Sequence, residues 1–235
     1  MSIENKPVDY PVITKIATGI EGFDLISLGG IPQGRTTLVA GSSGSSKTIM
    51  GLQFLVRGIN DYQENAVFVT FEETPNEIKR NVKSFNWDLQ AFEELEQWAF
   101  VDVSPDPGSQ NEVIGEFDLG ALMARIEHAV EKVQAKRVVI DSIGALFSQF
   151  EDTSIVRREM FRIASGLKLL GVTTIITAER LEEYGEVARF KVEEFVADNV
   201  IILRHVMEDA RRRRTVEILK FRGARHQNGE YPFTI

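Results

Sequence analysis

The chain has 235 residues, 43% of them hydrophobic and 26% charged, with 27 basic against 35 acidic side chains and a formal net charge of −8. That composition excludes a disordered or fibrous chain, and at this length one core still grows without splitting, so one α/β domain is expected. Zero cysteines exclude disulfides, thiolate zinc sites and cysteine nucleophiles, three scattered histidines disfavour a histidine-built metal site, and the acidic balance disfavours general nucleic-acid affinity.

Residues 1–16, with Pro7 and Pro11 among polar side chains, read as an extended arm, and residues 17–235 as the domain. The first residues lack the apolar core of a secretory signal, and no apolar run approaches about 18 residues, so no membrane span is expected and the cytoplasm is the default location. Beyond the arm, apolar β-rich runs alternate with longer amphipathic segments, the pattern of a mostly parallel central sheet flanked by helices. Strands are predicted at Thr36–Ala40, Ala66–Phe71, Phe100–Val103, Arg137–Ile140, Val172–Thr177 and Val200–Leu203. Most are apolar throughout, as strands buried on both faces must be. Helices are predicted at Thr48–Asn60, Asn76–Ser84, Leu119–Gln134 and Ser154–Leu170, the last stopped by Gly171. From Thr215 to Phe221 polar and apolar residues alternate, which predicts a C-terminal antiparallel edge hairpin.

The segment Gly41-Ser42-Ser43-Gly44-Ser45-Ser46-Lys47-Thr48 follows the apolar run TTLVA and opens the helical run TIMGLQFLVRGI. Strand, small-residue loop and helix in that order form the context of a P-loop. A triphosphate such as ATP needs backbone N–H groups aimed inward, which small residues permit, and the helix N-terminus adds its partial positive charge. Lys47 would bridge the β- and γ-phosphates, and the Thr48 hydroxyl would ligate Mg²⁺. A Ser/Gly-rich turn without ligand is the plainer alternative. The usual pattern has glycine before the lysine, and here that residue is Ser46. A positive φ there would cost a serine roughly 1–2 kcal/mol, whereas a helical φ would cost close to nothing. Weakened or altered nucleotide handling, rather than its loss, is the expectation.

Two acidic strand ends accompany this turn. Arg137-Val138-Val139-Ile140-Asp141 is an apolar strand closed by an aspartate, and ligands of parallel sheets gather at the carboxyl ends of strands. Asp141 would face Mg²⁺ opposite Thr48, directly or through water, unless it caps the helix that follows. Ala66–Phe71 runs into Glu72 and Glu73, either of which could polarise the water that attacks a γ-phosphate. Successive strand residues face opposite ways, so one of the pair reaches that water and the other is a solvated acid before Pro75; spacing does not choose between them.

With these motifs in place, the sequence resembles the KaiC family of circadian clock ATPases, in its first RecA-like domain, from about Ile16 to Ile235. The segments that carry the resemblance include GIEGFDLISLGGIPQGRTTLVAGSSG, VFVTFEETP, SFNWDL, SPDPGSQNEV, EFDLGALMARIE, IVRREMFR, AERLEEYGEVARF, VEEFVADNVIILR and RRRRTVEILKFRGARHQNGEYPFTI. The resemblance implies a homohexameric ring with nucleotide between neighbouring subunits. It implies that Gly44, Ser45, Ser46, Lys47, Thr48 and Ile49 line the phosphates, that Ser84 lies near the base, and that Glu72 and Glu73 serve hydrolysis. It also implies that Lys220, Phe221, Arg222, Ala224 and His226 complete the pocket from the adjacent subunit. Independently, Lys220 and Arg222 are two apart in a strand, so they share a face and could meet an anion together, or merely blunt a solvated edge.

Arg211 to Arg214 could bind nucleic acid, act on a neighbour's ATP or solubilise a hairpin. Sequence alone puts solvation first, and the resemblance favours an interface role for some of them. Ala224 and Arg225 stand where the family resemblance implies hydroxyl residues. The family's second RecA-like domain, which carries its autokinase activity, is expected to be absent, and the end inside YPFTI suggests an excised first domain. The resemblance further implies a KaiB-type partner near Glu112–Leu119. An Mg²⁺-dependent ATPase is the first functional expectation, a nucleotide-holding ring scaffold with little turnover the second. A DNA motor is disfavoured by the charge and by the lack of an interleaved basic–aromatic surface.

Overall fold

The computed structural model describes residues 13–104, 119–148, 150 and 152–234. In chain order these form β1 (Lys15–Ile16), α1 (Glu21–Ile26), β2 (Ile31–Pro32), β3 (Thr36–Gly41), α2 (Lys47–Tyr62), β4 (Ala66–Thr70) and α3 (Pro75–Asn81), which runs into a 3-10 turn (Val82–Phe85). There follow α4 (Leu89–Glu94), β5 (Trp98–Asp102), α5 (Leu119–Val133), β6 (Arg137–Asp141), α6 (Ile143–Phe147), α7 (Thr153–Leu169), β7 (Thr173–Glu179), α8 (Glu193–Val196), β8 (Asn199–Glu208), β9 (Arg211–Phe221) and β10 (Glu230–Pro232).

An eight-stranded sheet in the order β10-β9-β8-β3-β7-β6-β4-β5 organises the chain. From β8 to β5 all neighbours run parallel; β9 and β10 return antiparallel. This is the α/β architecture expected, with its C-terminal antiparallel hairpin. Along β6, Val138 and Ile140 enter one core while Val139 enters the other, because successive strand residues face opposite ways. The first core is closed by α5, α6 and α7, the second by α2 together with Phe23, Trp98 and Phe221. Burial on both faces is why these strands read as unbroken apolar runs.

Three differences from expectation have local causes. Lys15 and Ile16, the end of the segment read as an arm, pair antiparallel with Pro32 and Ile31, while residues 1–12 lie outside those described. The hairpin is longer than its alternating stretch, β8 and β9 pairing from Asn199↔Phe221 out to Glu208↔Arg211. Its outer half is exposed arginine, which carries no apolar alternation to read, and its turn is made by Asp209 and Ala210 at φ 48° and 61°, the two positive values a tight hairpin needs. Beyond it β10 covers Thr215, Val216 and Glu217 of β9, leaving residues 218–221 along the edge expected for the hairpin. Finally, α1, α4, α6 and α8 went unpredicted, since four to six residues are too few to display a helical period. Among the described residues no helix is long and apolar enough to cross a membrane.

Candidate functional site

The carboxyl ends of β3, β4, β6 and β7 converge on a cleft of about 300 Å³, walled by Gly44, Lys47, Thr48, Glu72, Glu73 and Asp141, among others. The turn from β3 into α2 forms one wall. Gly44 adopts φ +76°, and a Cβ there would come within 3.3 Å of the His205 ring, so glycine meets both demands of this position. Ser46 also lies in the left-handed region, at φ 80° and ψ 29°. Of the two outcomes open to the sequence, the strained one holds: this serine carries the roughly 1–2 kcal/mol penalty that a glycine would escape. As the residue before α2 it makes no side-chain cap, and the first intrahelical bond runs from Met50 N–H to Ser46 O at 3.0 Å. The N–H groups of Lys47, Thr48 and Ile49 therefore have no helical acceptor of their own, the arrangement that receives anions at helix N-termini.

Lys47 donates to the carbonyls of Gly41 (2.9 Å) and Ser42 (3.0 Å). Burial pulls its pKa below the usual lysine range, opposed by the charges of Asp141, Glu179, Glu72 and Glu183. Asp141, at the end of β6, accepts from the Thr48 hydroxyl at 2.7 Å and from the Thr177 hydroxyl. Burial pushes its carboxyl above the ordinary range despite those two hydrogen bonds, so desolvation is the larger effect. Asp141 does not cap α6; that position belongs to Ser142, which makes no side-chain cap. The Ser142 hydroxyl instead donates to Glu72 at 2.6 Å.

Glu72 and Glu73 leave β4 in different directions. Directly after them Thr74 caps α3, accepting from Glu77 N–H while the Glu77 carboxylate accepts from Thr74 N–H, and Pro75 occupies the first helical turn. This junction sets where the pair can point. Glu72 lies close enough to act electrostatically on both Lys47 and Asp141. Glu73 is drawn towards α3, accepting from the Asn81 amide at 3.2 Å.

The remaining expected residues are spread more widely. Ser45 is buried in the turn, its hydroxyl without a partner among the described residues. Ile49 is half-buried in the first turn of α2. Ser84 is exposed in the 3-10 turn, its hydroxyl facing Asn81 O at 3.5 Å, and is not among the cleft walls. Lys220, Phe221, Arg222, Ala224 and His226 gather at the far end of the sheet, where Asn199 pairs with Thr37 and Phe221. Roughly 13 Å of strand separates that level from Gly41. There Lys220 donates to the carbonyls of Glu194 (3.0 Å) and Ala197 (2.8 Å), and Arg222 contacts Asp198 at 3.4 Å. Arg222 lies in the turn just past β9, which ends at Phe221, so the two do not share a strand face, and within this chain both meet residues 194–198, at and just after α8. Phe221 is buried with the His226 ring edge-on at 5.5 Å, and Ala224 packs beside them. Of the four arginines, Arg213 pairs with Glu208 at 2.8 Å, while Arg214 donates to Gly44 O at 3.1 Å and so touches the turn of its own chain. Residues 112–118 of the expected partner surface lie outside the described residues.

Sequence reasoning missed Ser142 and Glu179 at the cleft, and Thr177 behind Asp141. Glu179 had a usable signal, since it closes an apolar strand as Asp141 does. It missed Glu183 and His205 too, and these had none, because a loop and a strand 140 or more residues along the chain meet the turn only after folding. The donor set fits a magnesium–triphosphate group: a hydroxyl and a carboxylate are hard oxygen ligands, and a lysine with uncapped helical N–H groups suits phosphate.

The family described as "ATPase: KaiC" matches residues 16–235. The circadian clock protein KaiC3 of Synechocystis sp. is 59% identical over 223 residues, which cover 95% of this chain and 44% of that protein. The circadian clock oscillator proteins KaiC of Thermostichus vulcanus and Synechococcus elongatus are 59% and 54% identical over 95% and 100% of the chain, covering 43% and 45% of their own lengths. The chain thus spans less than half the length of the curated relatives it matches, in keeping with one RecA-like domain. At that identity over nearly every residue, the chain belongs to the KaiC ATPase family.

Proposed function

We propose that this chain is an ATP-binding, Mg²⁺-dependent ATP-hydrolysing domain. The observation that carries the reading is the Thr48 hydroxyl 2.7 Å from Asp141 in one cleft with Lys47 and Glu72. Lys47, the N–H groups opening α2 and the small residues Gly44, Ser45 and Ser46 would hold the phosphates, while Thr48 and Asp141 would hold the metal. Magnesium, when bound, neutralises charge on the phosphates and orients them. Thr177 and Thr48 hold the Asp141 carboxylate in one orientation. Ser142 does the same for Glu72, leaving one Glu72 oxygen to take the proton of an attacking water. Because Glu72 faces Lys47 and Asp141 while Glu73 is drawn to Asn81, Glu72 is the base and Glu73 a supporting charge. Phosphate release with and without Mg²⁺ tests this. Glu72→Gln should slow it by about 100-fold or more and Glu73→Gln by less; a Glu72→Gln rate equal to wild type rejects the assignment.

For the assembled protein the reading is a homohexameric ring, with Ser84 near the base and Lys220, Phe221, Arg222, Ala224 and His226 meeting a neighbour's nucleotide. That these last five lie at the opposite end of the sheet from their own turn supports contact in trans. A full-length protein of this family would add an autokinase domain and a KaiB-type partner. Light scattering with and without Mg·ATP tests assembly, and a monomer under both conditions argues against the ring. The strained φ of Ser46 favours a second reading, a ring that holds nucleotide with little turnover; ATP-dependent assembly without phosphate release distinguishes it.

A further inference from the structure

We infer that Glu183 is a positioning residue for the phosphate-binding turn, an inference that rests on the nucleotide reading above. Glu183 belongs to loop 180–189, whose ends are fastened at the cleft by Arg180 N–H to Gly41 O (3.1 Å) and Arg189 N–H to Glu179 O (3.0 Å). Within the loop, the Arg180 guanidinium is buried and donates to the carbonyls of Gly185 and Glu186, both at 3.1 Å. The loop is thereby folded back on itself, and Glu183 is held half-buried beside the turn.

From there its carboxylate fastens two walls. Oε1 accepts the Ser42 hydroxyl at 2.5 Å, at the short end expected of a charge-assisted bond. Oε2 accepts His205 N–H at 3.1 Å. That donor lies past the last β3 pair, Gly41↔Leu203, where the sheet has no acceptor to offer it. Ser42 is the hub of the turn, since its carbonyl accepts both Ser45 N–H (3.2 Å) and the Lys47 ammonium (3.0 Å). Fixing the Ser42 side chain therefore fixes the seat of the lysine that meets phosphate. His205 stands against Gly44, whose carbonyl is held by Arg214. Glu183 is not among the cleft walls, so it acts through Ser42 and Lys47 rather than on the reacting atoms.

The test titrates a fluorescent ATP analogue with Mg²⁺ into wild type, Glu183→Ala, Glu183→Gln, Ser42→Ala and the Glu183→Ala/Ser42→Ala double variant, with phosphate release and melting temperature measured alongside. Glu183→Ala should raise Kd and KM about tenfold while kcat changes less than about threefold, the loss expected of one charge-assisted hydrogen bond. Ser42→Ala should lose part of that affinity, since Glu183 still accepts from His205 N–H, and the double variant should be no worse than Glu183→Ala, which already removes the Ser42 link. Glu183→Gln, which keeps one acceptor oxygen for Ser42 but loses the charge and the acceptor for His205 N–H, should recover the affinity only in part. Unchanged Kd in Glu183→Ala, a fall in kcat at constant KM, additive losses in the double variant, or a lowered melting temperature with normal binding would each overturn the inference. If wild type itself binds no analogue, the nucleotide reading falls and takes this one with it. Binding by wild type and Glu183→Ala alike removes only the role of Glu183.

Discussion

The two ends of the parallel strands treat charge in opposite ways. At the amino end Arg137 is fully buried, yet each guanidinium nitrogen has a partner: Glu64 at 2.6 Å and the carbonyls of Phe54 and Ala17, both at 3.0 Å. The same group lies over the rings of Phe54 and Tyr62, and Gly58 leaves room for it, since a Cβ there would strike its side chain. At the carboxyl end Lys47 faces the charges of Asp141, Glu179, Glu72 and Glu183, and Asp141 is desolvated beyond what two hydroxyls offset. One end has used its electrostatics to join β6 to α2. The other holds an acidic excess whose neutralisation a bound cation would supply. Residues at odds with local stability mark function, while satisfied charges mark the scaffold.

The comparison is broken most directly at Asp141. Asp141→Asn should reduce Mg²⁺-dependent phosphate release more than about 100-fold, yet stabilise the ligand-free protein against urea. The sign follows from the raised pKa. Between the ordinary value and the raised one the folded state keeps a proton that the unfolded state has released, so stability falls as pH rises through that window. The asparagine variant escapes this fall, and its advantage should be smallest in acid and largest near neutrality. An Asp141→Asn variant less stable than wild type at neutral pH would count against the contrast.

At the opposite end, Arg137→Met should cost about 2–4 kcal/mol in denaturant unfolding, by stranding two carbonyls and Glu64. The figure falls below that for a wholly buried pair because Glu64 remains 25% exposed. Nucleotide affinity of the folded fraction should not change; a selective loss of binding would make Arg137 part of the site. A smaller effect belongs to Ser46→Gly. Relief of the left-handed strain favours glycine by roughly 1–2 kcal/mol, and the freer unfolded chain offsets about 0.5–1 of it. A net gain of about 0.5–1 kcal/mol should appear in thermal unfolding, with a measurable change in ATP affinity. Identical affinity and turnover would show that Ser46 does not alter nucleotide handling. The smallest effect tests the scaffold's periphery: Lys191 and Glu186 pair at 3.2 Å with both side chains more than half exposed. Lys191→Ala should shift stability by less than about 0.5 kcal/mol, and less still in high salt.

Much of this was open to reading along the chain. Unbroken apolar runs in β3, β4 and β6 identify strands covered on both faces, and the small-residue turn between TTLVA and a helix identifies a candidate phosphate cradle, because both depend on neighbours in sequence. Asp141 at the end of its strand follows from the same logic. What local pattern left open, packing decided: whether Ser46 is strained, which way Glu72 and Glu73 part, and that Asp141 answers to Thr48 and Thr177 rather than to a helix cap. Arg137 shows the limit most plainly. Its letter says surface, and only the approach of α2 and the segment around Ala17, far apart in sequence, supplies the partners that let it be buried. Backbone period and turn chemistry are short-range properties, readable within a few residues; strain, desolvation and side-chain pairing are settled by contacts that exist only once the chain has closed on itself.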